Sequence, residues 1–142
     1  MARDILRRSV AAILLLLSVC DAGNAAESFP FDRELMLDAA PMRPGKRMPI
    51  LTVEADGNAR IELWCRTVSA HVEIADASMK IEAGPLPEEL PPMQSAGQCT
   101  PERMKADEEM LASIVQVTGW RREDDAIVLI GPATMKFRPA TN

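Results

Sequence analysis

Few residues of this chain have chemistry to offer: Cys65, Cys99, His71, Trp64, Arg66 and Asp107. Thirty-three residues lie between the two cysteines, and a cross-link closing a loop of that size contributes roughly 3–4 kcal/mol in the chain-entropy picture. We expect a disulfide, the alternative being two buried free thiols. His71 is the single histidine, and there is no tyrosine. No Ser–His–Asp order around a nucleophile elbow appears, nor a glycine-rich phosphate loop, nor HExxH. A lone histidine on the outward face of a strand is an ordinary solvated side chain. The reading is therefore of a protein that is not an enzyme, with no catalytic residue and no cofactor. Met36, Met42 and Met48 are spaced six apart, which makes no close-packed thioether pair for copper. Methionine is read as adaptable core filler, and no metal site is expected.

Two side chains sit out of place for their elements. Trp64 falls on the outward phase of an extended stretch, and pairing Cys65 with Ala70 would set it across from His71. An exposed aromatic can anchor a partner, so Trp64, Arg66 and His71 form a candidate binding patch. The alternative is that the loop Pro85 to Pro92 covers Trp64. Asp107 falls inside the apolar arc of a helix, where a bare carboxylate is costly to bury. It is read as a structural acid held by Arg66, Arg103 or a backbone amide, with ligand binding as the alternative.

These residues must be positioned by the elements around them. The first eight residues are basic overall, an apolar run follows from Val10 to Leu17, and small residues lead to Ala25-Ala26. That order is a secretory signal peptide, residues 1–25, cleaved after Ala25 or one residue later. The apolar run is too short to span a bilayer, which takes roughly 20 residues. Cys20 sits in a loose lipobox, Leu17-Ser18-Val19-Cys20, and lipidation there is the alternative that would attach the protein to a membrane. Removing the leader leaves one domain, 26–142, and moves the formal net charge from −5 to −6 with the loss of Arg3, Arg7, Arg8, Asp4 and Asp21. An acidic domain gains nothing from a phosphate backbone, so nucleic acid is excluded as a partner. The basic cluster Arg43 to Arg47 is read as a solvated loop. Export also places Cys65 and Cys99 where an even pair of cysteines closes.

Beyond the leader the chain reads as strands, one helix, then strands. Alternating apolar residues mark Phe31–Leu37, Ile50–Ala55, Ala59–Cys65, Ala70–Ile74 and Met79–Ala83. Asp56-Gly57-Asn58 is a hairpin turn. The proline-rich 84–92 segment cannot enter a central strand. Thr100-Pro101 supplies a hydroxyl cap and a proline at the first helical position, so a helix is expected over about 100–117. Its apolar face collects Met104, Met110, Leu111, Ile114, Val115 and Val117. Strands then follow over 118–122, 127–130 and 135–138.

From Ile50 onward the chain resembles the META domain family, which includes HslJ-like envelope proteins. The resemblance rests on Asp56-Gly57-Asn58, on Cys65, and on Cys99-Thr100-Pro101-Glu102-Arg103-Met104 with Asp107 and Leu111. Asp125-Ala126-Ile127-Val128-Leu129 and Met135-Lys136-Phe137 complete it, strongest over 50–138. The chain departs from the family where Trp64-Cys65-Arg66 replaces the usual Gly-Cys-Asn. The resemblance implies an α+β fold, an antiparallel sheet curled like a cracked barrel around a single helix. It also implies a non-enzymatic role in the envelope, tied to stress response. The expected protein is thus a monomeric periplasmic or secreted module whose partner is an envelope protein or a small apolar ligand. An inhibitor of an exported hydrolase is the rival reading.

Overall fold

The computed structural model describes residues 28–90 and 97–141; the expected signal peptide and Cys20 lie outside them. Strand β1 spans Glu34–Leu37, β2 Ile50–Val53 and β3 Asn58–Glu62. Strand β4 spans Thr67–Ala75 and β5 Ser78–Ala83. Helix α1, Pro101–Ile114, precedes β6 (Gly119–Glu123), β7 (Ala126–Ile130) and β8 (Met135–Pro139). Period-two alternation turns one side of most strands inward, while β7 is buried on both faces. Leu35, Leu51, Val53, Ile61, Val68 and Val72 are buried from the first half, and Met79, Ile81, Trp120, Ile127, Leu129 and Phe137 from the second. The tight turns use residues that tolerate the left-handed region. Gly57 has φ 91° and sits where a Cβ would come within 2.9 Å of the Val72 carbonyl, while Asp76 and Asp124 take φ 53° and 57°.

Each strand pairs antiparallel with its neighbour in sequence, and β8 returns to β1 with Leu37 opposite Phe137. The result is a closed barrel of eight strands, not the sheet wrapped around a helix expected above. The α+β reading is corrected on two physical grounds. A barrel of about eight strands has an interior just wide enough for its own side chains, and here those side chains fill it. The helix is therefore excluded from the centre. It is also shorter than the expected 100–117, because residues 115–117 turn away toward β6 through hydrogen bonds of Val117 N–H and Gln116 N–H to the carbonyls of Ile114 and Ser113.

The two ends of the barrel are closed differently. At one end Phe29 is buried edge-on against Trp120, ring centroids 5.3 Å apart, with Phe31 beside it. At the other, where β1 ends, β3 turns into β4 and β8 begins, α1 lies across the mouth and packs near Leu37, Trp64 and Met135. The connection carrying α1 interrupts the cylinder between β5 and β6. Those strands share one register position, Ser78 opposite Gly119, with Met79 N–H to Thr118 O at 3.0 Å and Trp120 N–H to Ala77 O at 2.9 Å.

Candidate functional site: the helix dock

Helix α1 starts where expected. The Thr100 hydroxyl accepts from Arg103 N–H at 3.3 Å, and Pro101 occupies the first turn, where its missing N–H costs nothing. Its buried stripe matches the face read from the sequence at Met110, Ile114 and Asp107, and adds Arg103. The buried residues are Arg103, Asp107, Met110 and Ile114, while Met104 and Leu111 are half-buried and Val115 is exposed. The spacing is helical, but its first half is charged. Those two charges clasp the β3–β4 turn, Leu63 to Arg66, which closes through Leu63 N–H to Arg66 O at 2.7 Å.

Asp107 is fully buried and satisfied. One carboxylate oxygen accepts from Cys65 N–H at 3.2 Å. The other accepts from Arg66 N–H at 3.0 Å and Arg66 Nε at 3.2 Å. Arg66 in turn donates from Nη2 to Met104 O at 2.8 Å, so the turn grips the helix as the helix grips the turn. Burial pushes the Asp107 carboxyl above the ordinary carboxylate range, and the Arg66 guanidinium and the two amides pull it part of the way back. Of the donors considered from sequence, Arg66 and backbone amides are the partners, and Arg103 is not.

Arg103 is a site residue that the sequence reading leaves out; its place one turn before Asp107 on the same stripe is the signal for it. It is 1 % exposed. It donates from Nη1 to Gln98 O at 2.6 Å and from Nη2 to Trp64 O at 3.3 Å, with a longer contact to Arg47 O at 3.5 Å. Its guanidinium fills the space where Gly45 lacks a side chain; a Cβ there would collide with it and approach the Gln98 side chain at 2.9 Å. Gly45→Ala should therefore cost about 1–3 kcal/mol through overpacking, read as a lowered denaturation midpoint. A neutral result would mean the 41–49 loop yields freely.

The disulfide completes the dock. Cys65 and Cys99 are bridged, with α-carbons 5.7 Å apart, within the range a disulfide needs. It staples the segment before α1 to the turn that α1 clasps. An intrachain disulfide fits an oxidising compartment outside the cytosol.

The candidate patch is not assembled. Glu62 pairs with Thr67 and Asn58 with His71, rather than Cys65 with Ala70. Trp64 and Arg66 therefore belong to the turn, and His71 lies further along β4, between Asn58 and Glu82. The register slips because β4 begins at Thr67, three residues before the expected start, which shortens β3 and draws residues 63–66 into the turn. Trp64 is half-buried, and its indole nitrogen is enclosed without an acceptor. A shallow groove of about 250 Å³ runs beside it, walled by Leu37, Ala106, Met110 and Met135. Trp120, by contrast, is 6 % exposed and donates from Nε1 to Asp76 O at 2.8 Å. In single-tryptophan variants acrylamide should quench Trp64 more than Trp120; equal quenching would mean that α1 seals the groove.

Among the described residues no three His, Cys, Asp or Glu side chains gather as a metal site. The outward ion pairs, such as Arg138 with Asp38 at 2.8 Å and Lys136 with Glu123 at 2.7 Å, are solvent-exposed and weak. Compared with known family models, characterised proteins and solved structures, the chain matches none.

Proposed function

We propose that this chain is an exported, non-catalytic binding module of the bacterial envelope, of the META type and stress-related, in which a rigid barrel presents surface loops to a protein partner. The observation that supports this reading is the filled interior with its clasped end. The inward residues are almost wholly buried, and the two deepest charges of the helix are spent on holding it in place. The sole histidine stands exposed on a strand, away from those charges. A packed centre also favours surface binding over carriage of an apolar ligand, which needs an empty one.

The inhibitor reading has one observation in its favour. Pro85, Pro87, Glu88 and Glu89 are exposed on the connection leaving β5, a shape able to enter a cleft. Retention of the mature domain's partner from envelope extract on immobilised protein, with elution by free domain, tests the main reading. One envelope protein retained at a fixed ratio supports it. Stoichiometric uptake of an apolar dye with no retained protein would overturn it in favour of a carrier.

A further inference from the structure

Arg103 is held by carbonyls but has no counter-charge among the described residues. No carboxylate among the described residues lies within ion-pair distance of it, because Asp107 is taken by Arg66. Its Nε–H is buried without an acceptor. A buried donor left unpaired costs about 1–3 kcal/mol and is rare, so it calls for an explanation. The position of the guanidinium suggests one. The two carbonyls it holds most closely belong to Trp64 and Gln98, the residues immediately before Cys65 and Cys99. The fork therefore stands beside the disulfide, gripping both of its strands of chain. A disulfide offers this donor almost nothing, whereas a thiolate is an anionic acceptor that pairs well with arginine.

We propose that the Cys65–Cys99 bridge is a reversible redox site whose reduced form is stabilised by Arg103 acting on the thiolate. The co-reactant is a dithiol of the exported compartment. Its thiolate attacks Sγ of Cys99, since Cys99 is partly exposed and Cys65 is 0 % exposed. The protein S–S bond breaks, and Cys65 leaves with the electron pair as a thiolate, next in sequence to the Trp64 carbonyl that Arg103 holds. The second sulfur of the reductant then displaces Cys99 and leaves as its own disulfide. Two electrons pass to the protein, and protons are taken up at whichever sulfur is not held as thiolate. The charged side chains that hold the dock are Arg103, Arg66 and Asp107. The last two pair with each other at 3.2 Å, whereas Arg103 has no carboxylate partner among the described residues. Helix α1 stays docked through the change, because the bonds from Cys65 N–H and Arg66 to Asp107 and from Arg66 to Met104 O do not involve sulfur.

The test is a redox titration of the mature domain in mixtures of reduced and oxidised dithiothreitol, with free thiols counted by mass after alkylation and folding followed by circular dichroism. The bridge should open reversibly with the dichroism unchanged. Arg103→Gln should move the midpoint toward the oxidised form by at least about tenfold in the dithiothreitol ratio, the weight of one charge-assisted hydrogen bond. The carbonyl bonds lost in the variant are lost from both redox states, so they cancel. If Arg103→Gln does not fold, the alkylation rate of the reduced parent against pH carries the test. Its more reactive thiol should then titrate below the ordinary value of about 8.5. An unchanged midpoint in a folded Arg103→Gln would overturn the proposal. So would a parent thiol titrating at or above the ordinary value, or thiols that appear only as the dichroism is lost.

Discussion

Asp107→Ala should lower the unfolding free energy by about 3–5 kcal/mol, the usual cost of removing one partner of a buried ion pair and leaving the other. The magnitude follows from what the substitution strands. Arg66 is 7 % exposed, and its side chain would keep its bond to Met104 O but lose its counter-charge. The amides of Cys65 and Arg66 would lose their acceptor in the same step. The contact of Arg66 with Glu108, at 3.7 Å and on a largely exposed side chain, is too solvated to compensate. Asp107→Asn should cost less, because the amide oxygen still accepts from a backbone N–H. The two carboxamide protons, however, would face donors. Urea denaturation of both variants measures the difference, and parent-like stability in Asp107→Ala would mean that the clasp holds without its acid.

The pH dependence follows from the direction of the shift. Burial raises the folded carboxyl above its unfolded counterpart, so between those two values the native state binds more protons. Relative to Asp107→Asn, the parent should therefore gain stability as pH falls through that window and lose it as pH rises. An advantage that shrinks on acidification would put the folded value below the unfolded one and make the ion pair, not desolvation, the dominant effect.

Replacing both cysteines by alanine should cost about 3–4 kcal/mol, since the cross-link closes a loop with a sequence separation of 34. The denaturant slope should rise at the same time, because the unfolded chain without the cross-link exposes more surface. The barrel should persist, for its strand pairings include neither cysteine. A collapse of strand content in the double variant would mean that the staple is needed to form the cylinder, not merely to hold the helix on it.

Most of the strands were legible in the sequence because period-two alternation survives wherever one face is buried. Leu51 and Val53, Ile61, Val72, Met79 and Ile81, and Ile127 and Leu129 all sit inward as that pattern requires. The cap at Thr100 and the turn at Gly57 were legible for local reasons of the same kind. Closure was not. The pairing of β1 with β8 joins residues about a hundred positions apart, and no local preference records it. The helix misled for a different reason. Hydrophobicity places Met110, Ile114 and even Asp107 on the buried face but cannot find Arg103, whose burial rests on hydrogen bonds to carbonyls. The register error at Trp64 came from the turn, where Leu63 and Cys65 are inward although neither belongs to a strand. Alternation continued past the end of β3 and looked like more strand.

The thin join between β5 and β6 has a consequence for how the cylinder fails. Because the other neighbouring strands are laddered over three to six register positions, a fluctuation that parts Ser78 from Gly119 unrolls the molecule without dividing it. What results is a single open ribbon, still continuous through β8 and β1, with β5 along one margin and β6 along the other. Such margins carry unpaired amides and can zip onto those of a second ribbon. That single pair of Ser78 and Gly119 is therefore the place where an exchange of strands between copies would begin.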